Sequence, residues 1–210
     1  MRVLVINSSA DLTNAVSRRI VKAAVERLAD RDPQLEIDVR DVAVDPVPHL
    51  VPGTISGVRG GAESTAEEAA ARALSDTLID ELRAADLVVI GVPMYNFGVP
   101  TVLRSWFDHV LRAGETFRYS EAGPEGLLRG KRVLVVESRG GLYSEGPAKV
   151  ADFQEPYLRQ LLGFIGLTDV TFVRAERIGF GDEARDAAIV SALSDVDGWV
   201  AGLALTDVAA

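Results

Sequence analysis

Three stretches of the chain, Arg2-Val3-Leu4-Val5-Ile6, Asp86-Leu87-Val88-Val89-Ile90-Gly91-Val92 and Lys131-Arg132-Val133-Leu134-Val135-Val136-Glu137, are unbroken β-rich aliphatic runs. Runs of this length and composition suit strands buried on both faces, and a sheet covered twice is what such strands require. Helical periodicity fills the intervals. From Asn14 the apolar positions Val16, Ile20, Ala24 and Leu28 recur every four residues, which predicts a helix to about Asp30. Leu35-Glu36-Ile37-Asp38-Val39 alternates like a strand with one wetter face. Thr65-Ala66-Glu67-Glu68 has capping-box spacing, and Leu74, Leu78, Ile79 and Leu82 carry one helical face on to Ala85.

Pro100 fits the first turn of a helix running through Trp106 to about Leu111. Further on, the pattern predicts a helix near Tyr157 to Phe164, a strand from Val170 to Ala175, and a last helix with Ile189, Leu193, Val196, Val200 and Leu203 on one face. Val42 to Glu63, with Pro46, Pro48 and Pro52, shows neither period and reads as a long surface loop. Phe117 to Leu128 reads as a turn-rich excursion. Alternating strands and helices imply right-handed crossovers. Five strands and five helices in one domain spanning 1–210 predict an α/β three-layer sandwich, its parallel sheet in the order 2-1-3-4-5 with helices on both faces.

Composition narrows the chemistry. The chain has no cysteine, which removes disulfides, iron–sulfur clusters, thiolate nucleophiles and most zinc sites, so any redox chemistry needs a bound organic cofactor. With 31 acidic against 22 basic residues the net charge is −9, which repels phosphodiester backbones and anionic lipid surfaces. No nucleic acid and no membrane is expected as a partner. The absence of a long apolar stretch or a signal peptide points to a soluble, cytoplasmic protein. Only His49 and His109 are available, and both are expected in structural or surface roles with no metal to hold.

In an open parallel sheet, ligands bind outside the carboxyl ends of the strands, near the switch in strand order. That rule selects three loops. Asn7-Ser8-Ser9-Ala10-Asp11-Leu12-Thr13-Asn14 leads into a helix whose free N–H groups and hydroxyls suit a phosphate, although Thr13 or Asn14 also suits a plain helix cap. Pro93-Met94-Tyr95-Asn96-Phe97-Gly98 sets two aromatics and an amide where a flat heteroaromatic ring would find faces for stacking and a polar edge. Ser138-Arg139-Gly140-Gly141 lets the backbone approach a ligand closely, because neither glycine has a Cβ.

Together these loops resemble those of the FMN-dependent NADH azoreductases, also described as NADH:quinone oxidoreductases, of the flavodoxin-like fold. The resemblance extends over nearly the whole chain and also rests on Trp106-Phe107-Asp108, Arg112-Ala113-Gly114, Thr116-Phe117-Arg118-Tyr119, Gly123-Pro124-Glu125-Gly126 and Leu162-Gly163-Phe164-Ile165-Gly166. It implies non-covalent FMN, with Ser9 and the residues Asp11, Leu12 and Thr13 at its phosphate. Met94, Tyr95, Asn96 and Phe97 would lie against the isoalloxazine, and Ser138, Arg139, Gly140 and Gly141 at its pyrimidine side. It also implies a homodimer with the active site at the interface, where Tyr95, Phe97, Tyr119 and Phe164 line the pocket for a quinone or azo acceptor. NADH or NADPH would give hydride to flavin N5, and the reduced flavin would pass two electrons on, with no side chain essential as nucleophile or base. The phosphate loop departs from the family pattern, with Asp11 near where a serine is expected, so backbone amides at the helix start are expected to carry most of the phosphate binding.

A second reading is an FMN-binding electron carrier or regulator without turnover of its own; the extra loops Val42 to Glu63 and Phe117 to Leu128 favour an enzyme with a built pocket. A hydrolase using Ser8 or Ser9 lacks a base. Gly179-Phe180-Gly181-Asp182-Glu183-Ala184 matches a dinucleotide fingerprint, but no strand follows its helix, so it reads as a turn with a helix cap.

Overall fold

The computed structural model describes residues 1–60 and 65–203. Its centre is a five-stranded, all-parallel sheet of β1 (Arg2–Asn7), β2 (Glu36–Asp41), β3 (Leu87–Pro93), β6 (Arg132–Ser138) and β7 (Asp169–Ala175), in the order β2-β1-β3-β6-β7. This agrees in kind with the expected arrangement. The labels differ because a hairpin of β4 (Phe117–Ser120) and β5 (Gly123–Gly126) is inserted between the third and fourth sheet strands and pairs only with itself.

Side-chain alternation divides each central strand between two layers. Leu4, Ile6, Val88, Ile90, Val92, Val133 and Val135 face α3 (Ala66–Ala84), α4 (Thr101–Val110) and α5 (Glu155–Phe164). Val3, Val5, Leu87, Val89, Leu134 and Val136 face α1 (Val16–Arg31) and α6 (Asp182–Ala201). The aliphatic runs are long because both faces of each central strand are covered. The capping box is present, with Thr65 Oγ1 accepting from Glu68 N and Glu68 Oε2 accepting from Thr65 N, each at 3.1 Å.

Two segments carry more structure than their sequences suggest. The excursion from Phe117 is the β4–β5 hairpin, seated on the end of α5 where Leu128 N donates to Ile165 O at 2.9 Å. The expected long loop from Val42 contains a short helix, α2 (Ile55–Arg59), and it buries Val42, Val47 and Val58. Positions 61 to 63 of that loop, ending at Glu63, lie outside the described residues. None of the described helices is long and apolar enough to cross a membrane.

Candidate functional site

The loop after β1 is tied to the sheet before it reaches the site. Ser8 is fully buried, and both its backbone N–H and its hydroxyl donate to Gly91 O, at 3.2 and 2.7 Å. Its neighbour Ser9 faces the other way, with its hydroxyl 3.4 Å from Tyr95 Oη. Ala10 N also donates to Tyr95 Oη at 3.1 Å, so the Tyr95 hydroxyl joins the first loop to the second.

The second loop is a tight hairpin turn. Tyr95 and Gly98 exchange both backbone hydrogen bonds at 3.0 Å, and the two central residues, Asn96 and Phe97, have φ of 47° and 71°. Left-handed φ at a phenylalanine costs about 1 to 2 kcal/mol, and strain of this kind clusters at binding sites. It holds Asn96 and Phe97 out at the end of the sheet, both exposed. The edge of one ring of the Phe97–Tyr143 pair meets the face of the other at a centroid distance of 6.1 Å. Met94 is half-buried, its N–H fixed to Ser138 O at 2.8 Å, which joins the second loop to the third.

In the third loop the side chain of Arg139 turns away from the sheet end into the protein. It is fully buried, donating to Gln154 Oε1 (3.0 Å) and Glu137 Oε2 (2.7 Å) and pairing with Asp152 (3.1 Å) and Glu176 (3.2 Å). Its backbone N–H is bonded to Ala175 O. Gly140 and Gly141 use their carbonyls to accept from Gly179 and Arg177, and their N–H groups have no partner among the described residues. Burial pushes the Glu137 carboxyl up to about 8 against the pull of Arg139. Burial also opposes ionisation of Glu176, but hydrogen bonds from the Ser144 hydroxyl and from Tyr143 N, with Arg139 nearby, hold it below the usual carboxylate range.

The helix expected from Asn14 begins at Val16, with Ala15 at its N-cap and no side-chain cap, and Asp11 closes the turn ahead of it. Its Oδ1 accepts from Asn14 N at 2.8 Å, Thr13 N at 3.0 Å and Thr13 Oγ1 at 3.2 Å. The bonds from Asn14 and then Thr13 lower its pKa. This carboxylate engages two amides of the turn, at Thr13 and Asn14, and not those of the first turn of α1, and the Thr13 hydroxyl is turned toward it. Leu12 is exposed.

These loops enclose a cleft of about 300 Å³ lined by Ser9, Asp11, Asn14, Pro93, Tyr95 and Ser138, with Ala15, Val16, Ile178 and Arg185 completing it. Tyr119 and Phe164 are not in its lining. They flank Phe117, at centroid distances of 5.6 and 4.5 Å, in an aromatic cluster where the hairpin meets α5. Ile178 and Arg185 escaped sequence reasoning, although the turn from Gly179 to Ala184 was expected to cap a helix, and it does place Asp182 at the start of α6. Its position after the last strand was the available signal. Ser17 was missed too: it is fully buried in the first turn of α1, and its hydroxyl has no hydrogen-bond partner among the described residues.

The sequence profile of a family described by its flavodoxin-like fold matches residues 1–200. An FMN-dependent NADH:quinone oxidoreductase of Hyphomonas neptunium is 62% identical over 193 residues, covering 92% of each chain. Among solved structures, an azoreductase from Bacillus anthracis Sterne superposes with a TM-score of 0.88 at 28% identity, covering 96% of this chain and 99% of that one. An FMN-dependent NADH-azoreductase from Bacillus anthracis Ames Ancestor, solved in complex with FMN, gives a TM-score of 0.84 at 25% identity over 95% of this chain and 100% of that one.

Proposed function

The chain belongs to the flavodoxin-like family of FMN-dependent NADH:quinone oxidoreductases and azoreductases, and from that membership we propose that it binds FMN and uses NADH, or NADPH, to reduce quinones or aromatic azo compounds by two electrons. The observation that carries this reading is the meeting of three separated loops in one cleft at the carboxyl end of the sheet. The residues present fit the cofactor. The orphan hydroxyl of Ser17 and the amides at the head of α1 suit a phosphate, and the free N–H groups of Gly140 and Gly141 suit the polar edge of a flavin ring.

On this reading Ser9 and the turn from Asp11 through Leu12 to Thr13 hold the phosphate end. Met94, Tyr95, Asn96 and Phe97 lie along the ring, and Ser138, Gly140 and Gly141 take its pyrimidine side. Arg139 acts through the buried ion pairs that hold this loop rather than through contact with the ring. Bound FMN supplies the redox chemistry, accepting hydride from the nicotinamide and returning two electrons to the acceptor. The chain supplies orientation and hydrogen bonds, with no side chain required as nucleophile or base.

We further propose a single domain over 1–210 that acts as a homodimer in the cytoplasm, with the acceptor site between protomers. Tyr119 supports this: it stands 73% exposed on the hairpin, and Phe97 is 49% exposed on the second loop, two rings with little to cover them in one protomer. The test is spectroscopic. The purified chain incubated with FMN and desalted is expected to keep flavin absorption at about one FMN per chain. Anaerobic NADH should bleach it and a quinone restore it, each within the time of turnover. A colourless chain overturns the proposal. A flavin that NADH reduces only slowly favours the electron-carrier reading.

A further inference from the structure

Glu176, the first residue past β7, ties down the third loop from both ends. Its Oε1 accepts from the buried guanidinium of Arg139 at 3.2 Å, from Tyr143 N at 2.8 Å and from Ser144 N at 3.0 Å, and its Oε2 accepts from the Ser144 hydroxyl. Between those anchors the backbone lies along the segment that follows β7. Ala175 O accepts from Arg139 N, and Ile178, Gly179 and Arg177 donate to the carbonyls of Arg139, Gly140 and Gly141 at 3.2, 3.0 and 2.9 Å. With these carbonyls engaged, the amides of Gly140 and Gly141 are left without an acceptor among the described residues. Tyr143, whose N–H the carboxylate fixes, carries the grip further. Its ring packs on Gly141, where a Cβ would stand 3.0 Å from it, and it meets the ring of Phe97 in the second loop at 6.1 Å.

We propose that Glu176 is a positioning residue for the flavin ring: by gripping Arg139 on one side and the Tyr143–Ser144 turn on the other, it sets the free amides of Gly140 and Gly141 at the ring's polar edge. This rests on the flavin reading above and adds to it a residue that acts without lining the cleft. Two adjacent glycines impose little conformation of their own, so the direction of their N–H groups has to be set by what flanks them. Both flanks meet on this one carboxylate. The other carboxylates on Arg139 do not do this. Asp152 accepts from the amides of Gln154 and Glu155 at the head of α5, and Glu137 bonds the guanidinium alone. Because the grip acts on amides that meet the ring, removing it should weaken any ligand carrying that ring, whether or not it carries a phosphate.

The experiment titrates flavin-free protein with FMN and with riboflavin, which lacks the phosphate, following flavin fluorescence, and records the infrared carbonyl bands of the bound flavin at saturation. Glu176→Ala is expected to raise both Kd values in step, by roughly tenfold, the worth of about one hydrogen bond. Its flavin carbonyl bands should move to higher wavenumber as the ring loses donors. Glu176→Gln keeps an acceptor oxygen for the Tyr143 and Ser144 amides, so its Kd values and bands should return most of the way to wild type. A role confined to stability predicts something else: unfolding at lower urea, with Kd values and bands of the folded variant unchanged, and that result overturns the proposal. So does a loss of FMN affinity with riboflavin unaffected, which would place the effect at the phosphate end. Should Glu176→Ala not fold, the comparison is made on Glu176→Gln, where wild-type Kd values together with unmoved bands overturn the proposal. A wild-type chain that takes up neither flavin overturns the flavin reading and this inference with it, whereas flavin binding insensitive to Glu176 overturns this inference alone.

Discussion

Glu137 is a carboxyl with no route to water, one residue before the loop that closes the cleft. It is fully buried, paired with Arg139 through Oε2 at 2.7 Å, while its Oε1 has no hydrogen-bond partner among the described residues. Asp152, Glu155 and Glu176 crowd the same guanidinium at 3.1, 3.7 and 3.2 Å. Arg174 relieves the crowd in part, at 2.7 Å from Glu155 and 3.8 Å from Glu137. The arrangement leaves Glu137 carrying its proton to about pH 8, whereas in the unfolded chain it loses that proton near 4.5. Between those values the folded state binds more protons than the unfolded state, so this group's contribution to stability is complete below about 4.5 and declines as pH rises toward 8. One proton corresponds to a slope of about 1.4 kcal/mol per pH unit at most. Urea unfolding at a series of pH values is expected to show wild-type stability falling relative to Glu137→Gln across this window. Parallel curves for the two proteins would mean that Glu137 ionises normally in its burial site.

At the scale of elements, the hairpin depends on a close approach of two backbones. A Cβ on Gly126 would stand 2.1 Å from Gly166 N and 2.4 Å from Gly166 Cα, atoms that cannot rotate aside. Gly126→Ala is therefore expected to cost about 3 kcal/mol and to lift the hairpin from α5, separating the Phe117–Phe164 rings that now stand 4.5 Å apart. Denaturant unfolding reads the first effect. Loss of acceptor turnover with FMN still bound reads the second, because the hairpin does not line the cleft. This hairpin also shows where sequence reading stopped. The strands β1, β3 and β6 were legible because an aliphatic run buried on two faces carries its own signature. Gly123-Pro124-Glu125-Gly126 carries none, and its pairing follows from the register that sets Phe117 opposite Gly126. The three loops could be found because strand order alone predicts which sheet end they share. The inward turn of Arg139 could not, since its partners at 137, 152, 154 and 176 come from separate segments that only the fold assembles. Arg185 was illegible for the same reason: nothing local distinguishes it from other helical arginines.

The whole molecule has a buried middle and an exposed rim. Residues of β1, β3 and β6 are almost wholly buried, whereas Ala10 to Asn14 and Tyr95 to Phe97 are exposed, held by bonds within and between their own loops. Amides in the strands should exchange with solvent only when the chain unfolds globally, and those at the rim through local opening. A ligand that binds the folded chain alone, at a hundredfold excess over its Kd, stabilises it by about 2.7 kcal/mol, which is about a hundredfold in the population of every opening that releases it. FMN should therefore slow exchange about that much in the sheet core and in the loops after β1, β3 and β6. It should leave local opening at the opposite edge unaffected, as in the turn between α1 and β2 around Pro33. Hydrogen exchange read by mass spectrometry at a fixed FMN excess separates these cases. Equal protection of the Pro33 turn and the Ser138 to Gly141 loop would put the ligand somewhere other than the carboxyl end of the sheet, since no contact of the cleft reaches that turn.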